Sequence, residues 1–215
     1  MANINLIVEV DRDQVEFLKQ NGYKLSIAKT VANDTGSNIS VIWSGGDFFY
    51  SNEFQWSDDY QVFAAVSYTV GALVVARTEF QDIEFGQTCT MDKAGNMNPA
   101  VGEPDQSGTF TVKNEWTNPA SVGVSCTLTV SGQVVANLPF YVSPDEVVVD
   151  GTINLTPIDK VAVWFQELNA TGTMIDKITG PMWTVDFTGQ NPKDVTISYN
   201  KAGEWQNGPL PTDEN

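Results

Sequence analysis

The chain contains no histidine among its 215 residues, and only 11 lysines and arginines stand against 27 acidic side chains. Without imidazole, the usual general bases near neutral pH, most transition-metal sites and the common nucleophile-activating triads lose their central component. A formal charge of −16 repels phosphate backbones and anionic lipid head groups, so neither nucleic acid nor a membrane is an expected partner. Two cysteines, Cys89 and Cys126, are too few for a disulfide framework. Both lie in alternating contexts, Thr88-Cys89-Thr90 and Val124-Ser125-Cys126, where a thiol reads as a small buried hydrophobe. Apolar runs such as Gly71 to Ala76 fall far short of a bilayer. The opening Met1-Ala2-Asn3-Ile4-Asn5 lacks the basic flank and apolar stretch of a secretory signal, which points to the cytoplasm. There the sequons at Asn33, Asn38, Asn154 and Asn169 read as turn chemistry. Gly45-Gly46 lacks the spacing of a phosphate loop, so no nucleotide is expected.

What the chain does have is a two-residue rhythm. Ile4, Leu6, Val8 and Val10 alternate with mostly polar neighbours, as in a half-buried strand. Asp11 then caps one helix, Arg12 to about Gln20, with Val15 and Leu18 on one face, Lys19 in the last turn and Gly22 as a stop. Alternating segments follow at Tyr23 to Ile27, Ile39 to Trp43, Phe48 to Tyr50, Phe54 with Trp56, Tyr60 to Val66, Leu73 to Ala76, Phe80 to Phe85 and Gln87 to Met91. Residues 96–107, with two prolines and several small residues, read as a linker. The rhythm restarts at Thr109 to Val112 and continues to Val195 to Tyr199. The expected fold is all-β: two tandem antiparallel β-sandwich modules, 1–100 with the short helix 11–20, and 101–207, followed by an acidic, Pro-rich, disordered tail, 208–215.

The two halves can be laid on each other. Gly22-Tyr23 matches Gly108-Thr109, Trp43-Ser44-Gly45 matches Val130-Ser131-Gly132, and Phe49-Tyr50 matches Phe140-Tyr141. Val62 matches Val161, and Lys93-Ala94-Gly95 matches Lys201-Ala202-Gly203. The offset only grows along the chain, as a duplicated module with loop insertions requires.

Carboxylates are abundant and scattered. Asp58-Asp59, Asp145-Glu146 with Asp150, and Asp92 offer oxygen ligands, but no EF-hand spacing appears and solvated turns are the plainer reading; a metal is left undetermined. Glu53, Glu79, Glu84, Glu115 and Glu167 are candidates for a hydrolytic pair, with no spacing to single one out. The denser signal is aromatic: Phe48, Phe49, Tyr50, Phe54, Trp56 and Tyr60 lie within thirteen residues. Successive strand side chains point to opposite faces, so one core cannot take them all. Either Phe49, Phe54 and Trp56 fill the core and the others cover an interface, or Phe48, Tyr50, Trp56 and Tyr60 line a site for a flat ligand.

Gly22 to Lys29, Val41-Ile42-Trp43, Asn52 to Ser57 with Tyr60 to Phe63, and Gly86-Gln87-Thr88 with Asp92 to Gly95 carry a resemblance. At these segments the chain resembles a group of small soluble basidiomycete β-proteins, chromoproteins among them. The resemblance implies a non-enzymatic small-molecule binder that holds a planar organic pigment non-covalently among aromatics, with a cation beside its carboxylate. Because cations are scarce here, Lys29, Arg77 and Lys93 become the candidates. A defence-type carbohydrate-binding protein and a carboxylate-based hydrolase are the alternatives, and a homo-oligomer is left open.

Overall fold

Alternation at the N-terminus does make a strand. In a computed structural model that describes residues 3–167, 170–190 and 193–211, β1 (Ile4–Val10) buries Ile4, Leu6, Val8 and Val10 and turns Asn5, Ile7 and Glu9 outward. Asp11 ends it and opens α1 (Arg12–Gln20), its carboxylate accepting the Asp13 N–H at 2.9 Å. Gly22 follows at φ 77°, a left-handed turn that glycine adopts without steric cost. The chain continues through β2 (Tyr23–Asn33), β3 (Gly36–Asn38), β4 (Ser44–Gly46), β5 (Ser51–Trp56), β6 (Tyr60–Ala65), β7 (Gln81–Ile83) and β8 (Thr88–Met91). The second half adds β9 (Phe110–Asn114), β10 (Ser121–Val130), β11 (Gln133–Val142), β12 (Thr152–Glu167), β13 (Met182–Asp186), β14 (Lys193–Tyr199) and β15 (Trp205–Asn207). Among the described residues no helix is long and apolar enough to cross a membrane.

These strands form two sheets packed over one core, and each sheet draws on both halves of the chain. The first runs β15-β14-β1-β5-β10-β6-β7, with β11 also on β10; the second runs β3-β2-β12-β9-β8, with β13 on β12 and β4 on β2. The expected division at residue 100 is therefore corrected: β1 pairs with β14, β5 with β10 and β2 with β12, all across the presumed boundary. Residues 96–107 are not a linker. Met97 is buried, and bridges from Met97 to Met91 and Val101 to Thr88 fold the segment back on β8. The sheets are mixed rather than antiparallel throughout, since β1–β14 and β8–β9 run parallel. Residues 208–210 are tied down, with Gly208 N–H bonded to Thr196 O and Leu210 N–H to Glu9 Oε2; residues 212–215 of the expected tail lie outside the described residues.

The structure does not show the duplication. The Phe49-Tyr50 pair is exposed whereas Phe140-Tyr141 is buried, and Val62 and Val161 lie in different sheets. The Lys-Ala-Gly match does mark one shared device: Asp92 and Asn200 each accept two backbone N–H groups of the following turn, and Gly95 and Gly203 both take positive φ. Turn chemistry alone accounts for that likeness.

Inside, Leu6, Val8, Phe54 and Leu128 of the first sheet meet Ile27, Val31, Val112 and Val163 of the second. Trp43 and Trp56 pack edge to face at 5.2 Å, and Trp56 meets Phe187 likewise at 5.5 Å. Each sheet also carries a bulge of two extra residues. Trp56 faces Leu128 and Gln61 faces Ser125, so five steps along β5 and β6 answer three along β10. In β12, Pro157 faces Val31 and Val161 faces Lys29, four steps answering two.

Candidate functional site

The residues expected to form one site separate into three places, and the core takes most of the aromatics. Phe48 is fully buried against Phe165, and Trp56 is buried against Trp43 and Phe187. Tyr60 and Lys29 do meet, but inside the sandwich. Lys29 Nζ donates to Tyr60 Oη at 2.8 Å, and Tyr60 donates to Asp58 Oδ1 at 2.6 Å. The ammonium lies 4.8 Å from the Tyr60 ring centroid and 5.5 Å from that of Phe140. Burial, with Asp58 second, holds the Tyr60 phenol well above its ordinary pKa, so it stays neutral as the link between ammonium and carboxylate. Lys29 is only 1% exposed, which seals it from ligands. Beside it, burial pushes the Cys126 thiol up to about 12, and likewise Cys89 to about 11; neither is poised as a nucleophile.

Arg77 packs on Trp116, a residue that no motif singles out, whereas the Lys93 side chain is exposed. The Arg77 guanidinium lies 3.5 Å from the Trp116 ring centroid, and Gly95, two residues past Lys93, closely approaches the same indole. Trp116 is thus half-buried among its own neighbours.

Of the four expected aromatics Tyr50 alone is left at the surface, and Phe49 stands beside it. Asn52 fixes the loop before β5: its Oδ1 accepts the Phe49 N–H, and its Nδ2 donates to Phe49 O and Val8 O. That clamp buries Phe48 and throws Phe49 outward, 61% exposed, reversing the expectation that Phe49 fills the core. Val10 N–H bonds Tyr50 O at the end of β1, where α1 also begins. A groove of about 300 Å3 therefore opens between Phe49 and Tyr50 on one side and Arg12, Val15 and Glu16 on the other. The Arg12 guanidinium stands 5.9 Å from the Tyr50 ring and Lys19 Nζ 4.7 Å from the Phe49 ring. Glu16 accepts a hydrogen bond from Gln20 along the helix. Two of the scarce cations thus converge on the one exposed aromatic pair of the Phe48 to Tyr60 segment. The helix pattern marks caps and an apolar face, and nothing in it brings Arg12 and Lys19 to these rings.

A second concavity, of about 280 Å3, lies at the other end of β1 on the outer face of the first sheet, and polar side chains line it.

Compared with known proteins, the chain matches no family model, no curated sequence and no solved structure.

Proposed function

We propose that the protein is a non-enzymatic holder of a planar, anionic aromatic small molecule, such as a pigment, bound non-covalently between Phe49 and Tyr50 with Arg12 and Lys19 on its acid group. The observation that carries this reading is the exposed aromatic pair flanked by two cations in a protein of charge −16. Rings offer flat apolar faces, and the cations choose anions over the neutral form of the same ligand. The volume suits a fused-ring ligand rather than a larger one.

Fluorescence titration with naphthalene-2-carboxylate, with 2-methylnaphthalene as the neutral control, tests it, alongside an absorption spectrum of protein from its native source. Saturable binding of the carboxylate is expected, weakened about 10-fold by Tyr50→Ala and by Arg12→Gln, the latter leaving the neutral control unchanged. Equal binding by both variants, or none together with a colourless native protein, overturns the reading.

A further inference from the structure

We infer that the polar concavity on the outer face of the first sheet is a second site, for a neutral oligosaccharide. Strand register builds it. Asp194 on β14 faces Asn5 on β1, Asn5 faces Gln55 on β5, and Gln55 faces Thr129 on β10. All four side chains point outward, so one carboxylate, two amides and one hydroxyl form a row across four strands, spaced about 4.8 Å and spanning about 14 Å. Thr127 and Ser57 widen the row into the concavity. The two apolar residues at this place, Ile4 and Trp56, belong to the core side of the sheet.

The row is rich in unused hydrogen-bonding capacity. Gln55 Nε2 donates to Glu53, but among the described residues the side chains of Asn5, Thr127, Thr129 and Asp194 make no hydrogen bond or ion pair. Asn5 Oδ1 is covered and has no partner, an acceptor that a ligand hydroxyl satisfies once the amide turns toward the groove. Alternating donors and acceptors on a rigid sheet suit vicinal hydroxyls, which both donate and accept, and cost little ordering entropy on binding. Asp194 and the neighbouring Glu53 repel acidic sugars, which leaves neutral chains. This site lies about 14 Å along β1 from the Phe49–Tyr50 groove, four residues from Asn5 to Glu9, and stands or falls independently of it.

The test is NMR titration of the 15N-labelled full chain with cellotetraose, laminaritetraose, chitotetraose and maltotetraose, each to about 10 mM, the range in which weak glycan sites are read. At least one is expected to shift the side-chain amides of Asn5 and Gln55 saturably and to leave Phe49 and Tyr50 unmoved. Asn5→Ala and Thr129→Val, both outward substitutions, should each weaken that binding about 10-fold with an unchanged thermal midpoint. If Asn5→Ala does not fold, Thr127→Ala serves in its place. No shift with any of the four sugars, shifts confined to the Phe49–Tyr50 groove, or undiminished binding by the variants overturns the inference.

Discussion

Lys29 is the residue on which burial and charge are most at odds. Its ammonium is 1% exposed, donates one good hydrogen bond, to Tyr60, and stands 3.7 Å from Asp58. Taking an ion out of water costs several kcal/mol, which a single pairing seldom returns in full. Tyr60→Phe strands the charge and should lower stability by about 2–3 kcal/mol. Lys29→Met removes charge and demand together, so it should fall within about 1 kcal/mol of the parent or above it. The double variant should lose less than the two single losses combined, which urea midpoints at constant slope would show. Larger damage from Lys29→Met than from Tyr60→Phe would mean that the ammonium is a net stabiliser. A second residue is constrained by shape alone. Gly123 faces Phe63 across the β10–β6 pair, and a Cβ there would stand 2.1 Å from the Phe63 ring. Gly123→Ala should therefore cost about 3 kcal/mol, because a ring with no exposure has nowhere to move.

At the scale of elements, local chemistry was legible and pairing was not. The Asp11 cap, the span of α1 and the rhythm of β1 follow from residues within a few positions of each other, and all three stand as read. Asp11→Ala should cost about 1 kcal/mol and raise the amide exchange of the first turn of α1, measurable by NMR. Leu73 to Ala76 and Ile39 to Trp43 also read as strands, yet they make only isolated bridges or loop contacts. Apolar runs are not confined to ladder strands: Ile39 to Trp43 is a buried loop, and Leu73 and Val75 are exposed. In β12 Pro157 interrupts the alternating pattern, yet pairing with β2 resumes at Val161 after a bulge within one strand. The site failed to be read for a related reason. Whether Phe48 or Phe49 turns inward is decided by Asn52 reaching back to a loop and across to Val8, a contact that no periodicity announces. The polar row from Asp194 to Thr129 depends on register between strands distant in sequence, and nothing short of the pairing itself displays it.

For the whole molecule, the missing histidine reappears as a property of stability. Tyr60, Tyr68, Tyr141, Tyr199, Cys89 and Cys126 are all raised above their ordinary values, chiefly by burial. A raised group holds its proton more tightly when folded, so its contribution is complete below the unfolded pKa and lost as pH climbs through the folded one. Asp47, Asp92, Asp105, Glu115 and Asp186 are lowered, Asp186 to about 2 by its bonds with Thr188 and Lys160. Their contribution is present above the unfolded value and lost as pH falls through the folded one. Stability should thus be flat from about pH 5 to about pH 8.5, fall at higher pH and fall again below about pH 4, as thermal midpoints across buffers would show. A slope near pH 6.5 would contradict this. The place of β1 has a consequence for how the chain reaches its fold. Its two neighbours are β5, some fifty residues on, and β14, near residue 195, so β1 stays an open edge until almost the whole chain is available. Closure then requires ends far apart in sequence to find each other in parallel, the kind of non-local search that slows two-state folding to milliseconds or seconds. During synthesis the first sheet must wait half-built, exposing Ile7 and its neighbours to any other strand that arrives first.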